Sequence, residues 1–340
     1  MNVFKKGLCA MVVLSFMVMS TGTASAAKTF RFAGQNPVDQ ESTKQMLRIR
    51  DMVLKETKGG IELKVYPANQ LGDFQQIQEE LLKGTIDFAL ISTNHQLDGR
   101  LMLPSMMFLA KTYDDAKKIY AKNGVLYKII DEACNDLGMK FLGFSAECMS
   151  GIASVKPLNE KGLLDPKVKK SELIRTSGIA SAVYTLQDLG FRTVSVPYAE
   201  TYTALQTGIC DAWWGGGPIH NYYGFGDIIK HYYATNLFIE ATCFFASNKA
   251  WNSLTAEQQK VIQNAINIEE KNSFVSAEKF DKLYSQKLHD EYGVTIHTFT
   301  PKELAPIFEN GRNKTWEKLT SIAGKDAIRR LREEVKKLEK

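Results

Sequence analysis

From residue 28 the hydrophobic positions of this chain switch repeatedly between a two-residue and a helical period. "KTFRFAG" alternates apolar and polar positions as a short strand does. "QESTKQMLRIRDMVLKETKGG" then sets Met46, Ile49, Val53 and Leu54 on one helical stripe that stops at Gly59-Gly60. Ile61, Leu63 and Val65 alternate in "IELKVYP", which ends at Pro67 and reads as a half-buried strand. A helix follows in "DFQQIQEELLKG", with Gly84 as its C-terminal cap, and then the strand "TIDFALIS", apolar on both faces. Strand, helix, strand, helix, strand at this spacing predicts right-handed crossovers and a mostly parallel sheet.

The rhythm returns downstream. "YDDAKKIYAKNGVLYKIIDEACNDLG" is helical and "MKFLGFS" a strand; "SELIRT", "RTVSV" and "ICDAWW" are further strands. "SAVYTLQDLG" and "AETYTALQTG" are the helices between them. Two α/β units thus lie in one chain with no Pro/Ser-rich linker, so short strands are expected to join them as a hinged pair. Near the C-terminus, Thr255 and Gln258 form a capping box, and little interrupts the helical pattern before Gly293. A continuous helix over 256–290 would run about 50 Å at 1.5 Å per residue. That exceeds one domain of this size, so the helix is expected to brace both units, with a kinked helix as the alternative. The tail "IRRLREEVKKLEK" alternates in sign and reads as a solvated helix, not a membrane anchor.

Residues 1–26 have another character. "MNVFKKG" is basic, "LCAMVVLSFMVM" is apolar but short for a membrane span, and Ala24-Ser25-Ala26 is a small-residue cleavage site. Together they read as a cleaved secretory signal peptide, with the mature chain starting near Ala27 outside the cytoplasm. Cys9 precedes the apolar stretch instead of following it, so lipidation is not expected. Export permits disulfides, yet Cys134, Cys148, Cys210 and Cys243 show neither a CxxC nor metal-ligand spacing, and read as small buried hydrophobes.

Composition adds little beyond this. With 340 residues, 44% hydrophobic and 24% charged, the chain is an ordinary globular protein long enough for two domains. Its net charge of +5 is mild, and no basic stripe carries interleaved aromatics, which argues against a nucleic-acid partner. No HExxH, GxSxG or P-loop occurs, and Gly215-Gly216-Gly217 lacks the Lys-Ser/Thr of a phosphate cradle. His95, His220, His231, His289 and His297 show no helical pairing with acids, and each reads as a surface or hydrogen-bonding residue. Asp87 and Asp211 read as turn or edge residues. Neither an enzyme nor a cofactor is expected.

Two features remain. Arg175 ends the apolar strand "ELIR" just before a helix, and ligands of open α/β sheets sit outside the carboxyl ends of strands. A guanidinium there offers a planar fork to a carboxylate; a structural salt bridge is the equal alternative. The second feature is "TGICDAWWGGGPIHNYYG", where Trp213 and Trp214 stand beside three glycines. An aromatic surface for a ligand is expected there, although alternation along a strand lets only one of the two indoles point each way.

"KGGIELKVYPANQLGDFQQIQEELLKGTIDFALIS" resembles the opening half-domain of the periplasmic solute receptors of TRAP transporters, the DctP-like family. "IRTSGIASAVYTLQDLGFRTVSVPYAETYTALQTGICDAWW" resembles that family's second signature. The resemblance implies an α/β, two-lobed periplasmic binding-protein fold with a hinge and a long C-terminal helix bracing both lobes. Lobe I would comprise 27–145 and about 243–275; lobe II about 146–242 and 276–340. It also implies a monomeric periplasmic receptor that captures a small organic acid and delivers it to small and large membrane-embedded permease subunits. The family's carboxylate-binding arginine falls on Arg175.

Where many members have G-Q-E-N-P with a ligand-contacting asparagine, this chain has Ala212-Trp213-Trp214-Gly215-Gly216-Gly217-Pro218. A second arginine common in the family is replaced at Ile152 and Ala153. With one cation and one amide fewer, the resemblance points to a monocarboxylate with an apolar or aromatic body. A dicarboxylate, a zwitterion held over Trp213 or Trp214, or a metal-assisted 2-oxo acid are the rivals. Glu240 stands where a metal-binding acid would; an ordinary structural partner is its alternative. The candidate ligand-binding set is Arg175, Trp213, Trp214, Gly217, Asn94, Glu147 and Glu240. An exported enzyme and a binding protein for an ATP-driven importer are the competing classes.

Overall fold

A computed structural model describes residues 27–338, so the expected signal peptide lies outside the described residues. The first stretch runs β1 (Lys28–Gly34), α1 (Glu41–Glu56), β2 (Ile61–Tyr66), α2 (Phe74–Lys83) and β3 (Phe88–Ile91). It continues through α3 (Tyr113–Ile119) and α4 (Val125–Leu137) to β4 (Met139–Met149) and β5 (Ile152–Ser154). Next come α5 (Glu160–Leu163), β6 (Leu173–Thr176), α6 (Ala180–Asp188), β7 (Arg192–Ser195) and α7 (Thr201–Gln206). β8 (Ala212–Trp214), α8 (Pro218–Phe225), β9 (His231–Ala234) and β10 (Ile239–Ser247) follow. The chain closes with α9 (Asn248–Asn252), α10 (Ala256–Tyr292), β11 (Thr295–Thr298), α11 (Pro301–Asn310), α12 (Trp316–Ala323) and α13 (Lys325–Leu338). Among the described residues no helix is long and apolar enough to cross a membrane.

The strands form two sheets, ordered β2-β1-β3-β10-β4 and β11-β9-β5-β8-β6-β7. β1 lies parallel to β2 and β3, as the strand–helix–strand spacing predicts, but β10 runs antiparallel to β3 and β4. The second sheet is likewise mixed: β6 is parallel to β7 and β8, while β5 is antiparallel to β8 and β9. Antiparallel members arise where the chain crosses between sheets, once after β4 and once before β10. The crossings are bonded to each other: Ser150 N donates to Phe238 O at 2.9 Å, and Phe238 N to Ser150 Oγ at 3.2 Å. Gly151 must be glycine at this passage, because a Cβ would sit 2.4 Å from the Tyr232 hydroxyl.

α10 is one unbroken helix of 37 residues, capped by the Thr255/Gln258 box and by Gly293 in the left-handed region. It lies along β4 and α1 of the first sheet's half and reaches α8 and β11 of the second. The contact with β4 has a definite chemical reason. β4 is an edge strand, and its outward amide groups need acceptors. Glu270 accepts from Phe144 N, Ser273 Oγ from Ala146 N and Asp281 from Met149 N, each at 2.9 Å. The helix thus closes the sheet edge with side chains.

The C-terminal segment departs from expectation. α13 is not simply solvated: Ile328, Leu331 and Val335 are buried, and the helix packs on α4, with Arg330 and Glu132 paired at 2.7 Å. Sign alternation hid an apolar stripe at helical spacing. α12 and α13 pack beside α4 and the 3-10 turn Gly99–Ser105, so the tail reaches the first sheet's side although it follows β11 of the second.

Candidate ligand-binding site

Arg175 sits near the end of β6, registered against Val194 and Trp213. The residue is only 3% exposed, and its Nε donates to Val196 O at 2.8 Å. No carboxylate pairs with it among the described residues; burial pulls its pKa down, while Cys210 and Tyr198 push weakly the other way. The Tyr198 ring, itself half-exposed, covers the guanidinium at 5.9 Å. Burial and the charge of Glu240 raise the Tyr198 hydroxyl and Arg175 opposes them, so the tyrosine lies within electrostatic range of the second sheet's arginine and the first sheet's acid.

The acids come from the pairing of β4 with β10. Glu240 is registered to Cys148, but the next pair is Ala241 with Ala146, so Glu147 is the extra residue of a β-bulge. A bulge sets two residues against one and re-aims their side chains. Asn36 Nδ2 donates to Glu147 at 2.9 Å. Even so, burial and the charge of Glu240 push the Glu147 carboxyl up to about 8. Cys148 Sγ lies 3.5 Å from Glu240 and 3.7 Å from His220 Nδ1. Burial, then the neighbouring acids, raises its thiol well above the ordinary range.

The two tryptophans do not form an exposed aromatic wall, which corrects the expectation. Both are buried, and strand alternation sends them to separate clusters. Trp213 packs 4.7 Å from Phe225 and 6.0 Å from Tyr198, and its Nε1 donates to Asn221 Oδ1 at 3.0 Å. It therefore backs Tyr198 from inside. Trp214 turns the other way, 5.2 Å from Phe238, and its Nε1 has no partner among the described residues. Gly217 is a packing position: a Cβ there would meet Cys148 Cβ at 2.6 Å. Asn94 is buried with its Oδ1 accepting from Gln96 N at 3.1 Å, and no contact links it to Arg175.

Sequence reading missed Tyr198, Asn36 and the nearness of Cys148 to His220, because each belongs to a different element. Asp211, by contrast, is structural as read: it accepts from Leu173 N at 2.9 Å and pairs with Lys156 at 2.7 Å. The four cysteines of the described residues, Cys134, Cys148, Cys210 and Cys243, are free and buried. A separate groove of about 750 Å³ lies between α10, β9 and β11, and no candidate residue lines it. Asp114, Glu278 and Asp281 line it together with Lys111 and Lys282, and Lys282 pairs with Glu278 at 2.9 Å.

Residues 32–321 match the model of the DctP family, bacterial extracellular solute-binding protein family 7. The chain belongs to this family. An uncharacterized protein of Haemophilus influenzae is 26% identical over 217 residues, which span 62% of this chain and 63% of that relative. A TRAP periplasmic solute-binding protein of Ochrobactrum anthropi superposes with a TM-score of 0.83 at 19% identity, over 92% of this chain and 96% of its own. Another, from Desulfovibrio salexigens and solved with bound orotic acid, gives 0.76 at 18% identity, over 91% and 99%. Members of the DctP family are solute-binding proteins, and the two-lobed architecture of this chain is theirs.

Proposed function

We propose that the chain is the extracytoplasmic receptor of a TRAP-type transporter, capturing a small organic acid and delivering it to small and large membrane subunits. It works as an exported, periplasmic monomer without turnover. One observation carries this reading: Arg175 is buried at the carboxyl end of β6 with no acid to pair with among the described residues. A desolvated, unpaired guanidinium is costly unless an anion completes it, and a carboxylate fits its fork in two parallel hydrogen bonds.

The ligand is a monocarboxylate. Arg175 is the cation of the site, and the charge of Glu240, which reaches the same tyrosine, disfavours a second carboxylate. Tyr198 offers the apolar face that the tryptophans do not. The orotic acid bound by the Desulfovibrio protein has the same form, one carboxylate on a flat body. Glu147, raised to about 8 beside Asn36 and so able to donate as well as accept, favours a second reading in which the ligand also carries a hydroxyl group, and an ammonium would have to lie nearer Glu240. A thermal-shift screen against mono- and dicarboxylates, with and without amino groups, tests all of this. A ligand at 100 times its Kd stabilises the native state by about 2.7 kcal/mol. Dicarboxylate hits alone, or hits undiminished in Arg175→Met, would overturn the assignment.

A further inference from the structure

Cys148 Sγ, His220 Nδ1 and a Glu240 carboxylate oxygen meet at the mouth of the β4–β10 bulge. Their separations are 3.7 Å for sulfur to nitrogen, 3.5 Å for sulfur to oxygen and 3.8 Å for nitrogen to oxygen. The imidazole–carboxylate spacing is long for a hydrogen bond. It suits a different geometry. A tetrahedral zinc ion with a Zn–S bond of about 2.3 Å and Zn–N and Zn–O bonds of about 2.0–2.1 Å has edges of roughly 3.4–3.6 Å between these donors. The two edges to sulfur fall within about 0.2 Å of that figure, and the nitrogen–oxygen edge is about 0.4 Å longer than an occupied site would have.

We propose that Cys148, His220 and Glu240 form a binding site for a thiophilic divalent cation of the zinc type. The donor set is one sulfur, one imidazole and one carboxylate, which selects zinc, cobalt or copper over magnesium and calcium, whose sites are built from oxygens. These are the described residues whose donor atoms converge closely enough to hold an ion. Each donor is held by the fold. The bulge at Glu147 sets Cys148 directly opposite Glu240. His220 projects from the first turn of α8, whose start is fixed by Asn221 Nδ2 bonding the carbonyls of Gly216 and Gly217.

The glycine run gains a reason as well. A Cβ on Gly216 would stand 2.6 Å from His220 Cβ, and one on Gly217 would stand 2.8 Å from Cys148 Sγ. The turn is bare where two donors need room. Three protein ligands leave the fourth position of a tetrahedral ion for water. Uptake of the ion displaces the Cys148 thiol proton, so one proton is released to solvent per ion bound at the thiol.

The test is titration of the full exported chain, after treatment with a chelator, using Co²⁺ as the spectroscopic probe and Zn²⁺ as competitor. One equivalent of Co²⁺ should bind with a thiolate-to-cobalt charge-transfer band, and Zn²⁺ should displace it. Cys148→Ser should lose the band and the equivalent. His220→Gln and Glu240→Gln should each weaken binding by more than the roughly 10–100-fold that loss of an outer partner costs. Metal held instead by His231 and His297, whose Nδ1 and Nε2 lie 3.1 Å apart, would persist in Cys148→Ser and disappear in His297→Gln. That result, or no uptake at micromolar Co²⁺ and Zn²⁺, would overturn the proposal. Far-UV circular dichroism checks folding, and His220→Gln decides if Cys148→Ser does not fold. Acid binding by the chelator-treated protein tests the receptor reading separately.

Discussion

Asn221 joins the buried Trp213 to the glycine turn: its Oδ1 accepts the indole N–H at 3.0 Å, and its Nδ2 donates to Gly217 O at 2.9 Å. One fully buried amide thus fixes both the backing of Tyr198 and the start of α8. Asn221→Ala strands a buried indole N–H and two carbonyls, and a stranded donor or acceptor costs about 1–3 kcal/mol. The midpoint of thermal unfolding should fall, and acid affinity should fall with it because Tyr198 loses its support. Unchanged unfolding would show that water replaces the amide.

Arg175→Lys keeps the charge but removes the planar fork, and Arg175→Met removes both. Truncating one side of a buried charge pair costs about 2–5 kcal/mol of binding. Isothermal titration with the best acid found in the screen should show Met losing at least that much and Lys falling between. Equal affinity for Lys and wild type would mean that charge alone, without the fork, holds the ligand.

Gly217→Ala should destabilise the protein without touching charge. The new methyl group would stand 2.6 Å from Cys148 Cβ and 3.0 Å from Met149 O, at the junction of α8 with β4. Overpacking of this kind costs about 1–3 kcal/mol. A lowered midpoint in differential scanning calorimetry checks it, and a midpoint equal to wild type would show that α8 can shift freely.

Glu270 predicts a pH dependence. Burial pushes its carboxyl up to about 7, against the hydrogen bond from Phe144 N and the charge of Lys122; Tyr127 also faces it. Its protonated form is the one the fold favours. The group's contribution is therefore whole below about pH 4.5, declines as the pH rises towards 7, and stays lost above that. Glu270→Gln mimics the protonated acid. Its stability relative to wild type should rise across that interval, by on the order of 3 kcal/mol in total. Chemical denaturation at pH 5 and pH 8 measures the difference; the same value at both would refute the assignment.

How much of this was legible beforehand varied with the range of the interactions. The strands of the first half, its helices apart from the break between α3 and α4, and the capping box at Thr255 follow from local periodicity and caps, which act within a few residues; these signals leave open whether α10 runs unkinked. The position of Arg175 at a strand end was equally local. The antiparallel placement of β10 was not, because it depends on a chain that leaves one sheet and returns some ninety residues later.

By itself the sequence determined the alternation of elements, the caps at the two ends of α10, and the place of an arginine at the end of β6. Tertiary structure decided that Trp213 and Trp214 face separate cores and that Tyr198 covers the guanidinium. It also decided that a bulge at Glu147 turns Cys148 towards Glu240 and His220. The physical reason is one of range. Periodicity records which face of an element is dry, but a site is made where elements distant in sequence meet, and only packing and sheet register choose that meeting point.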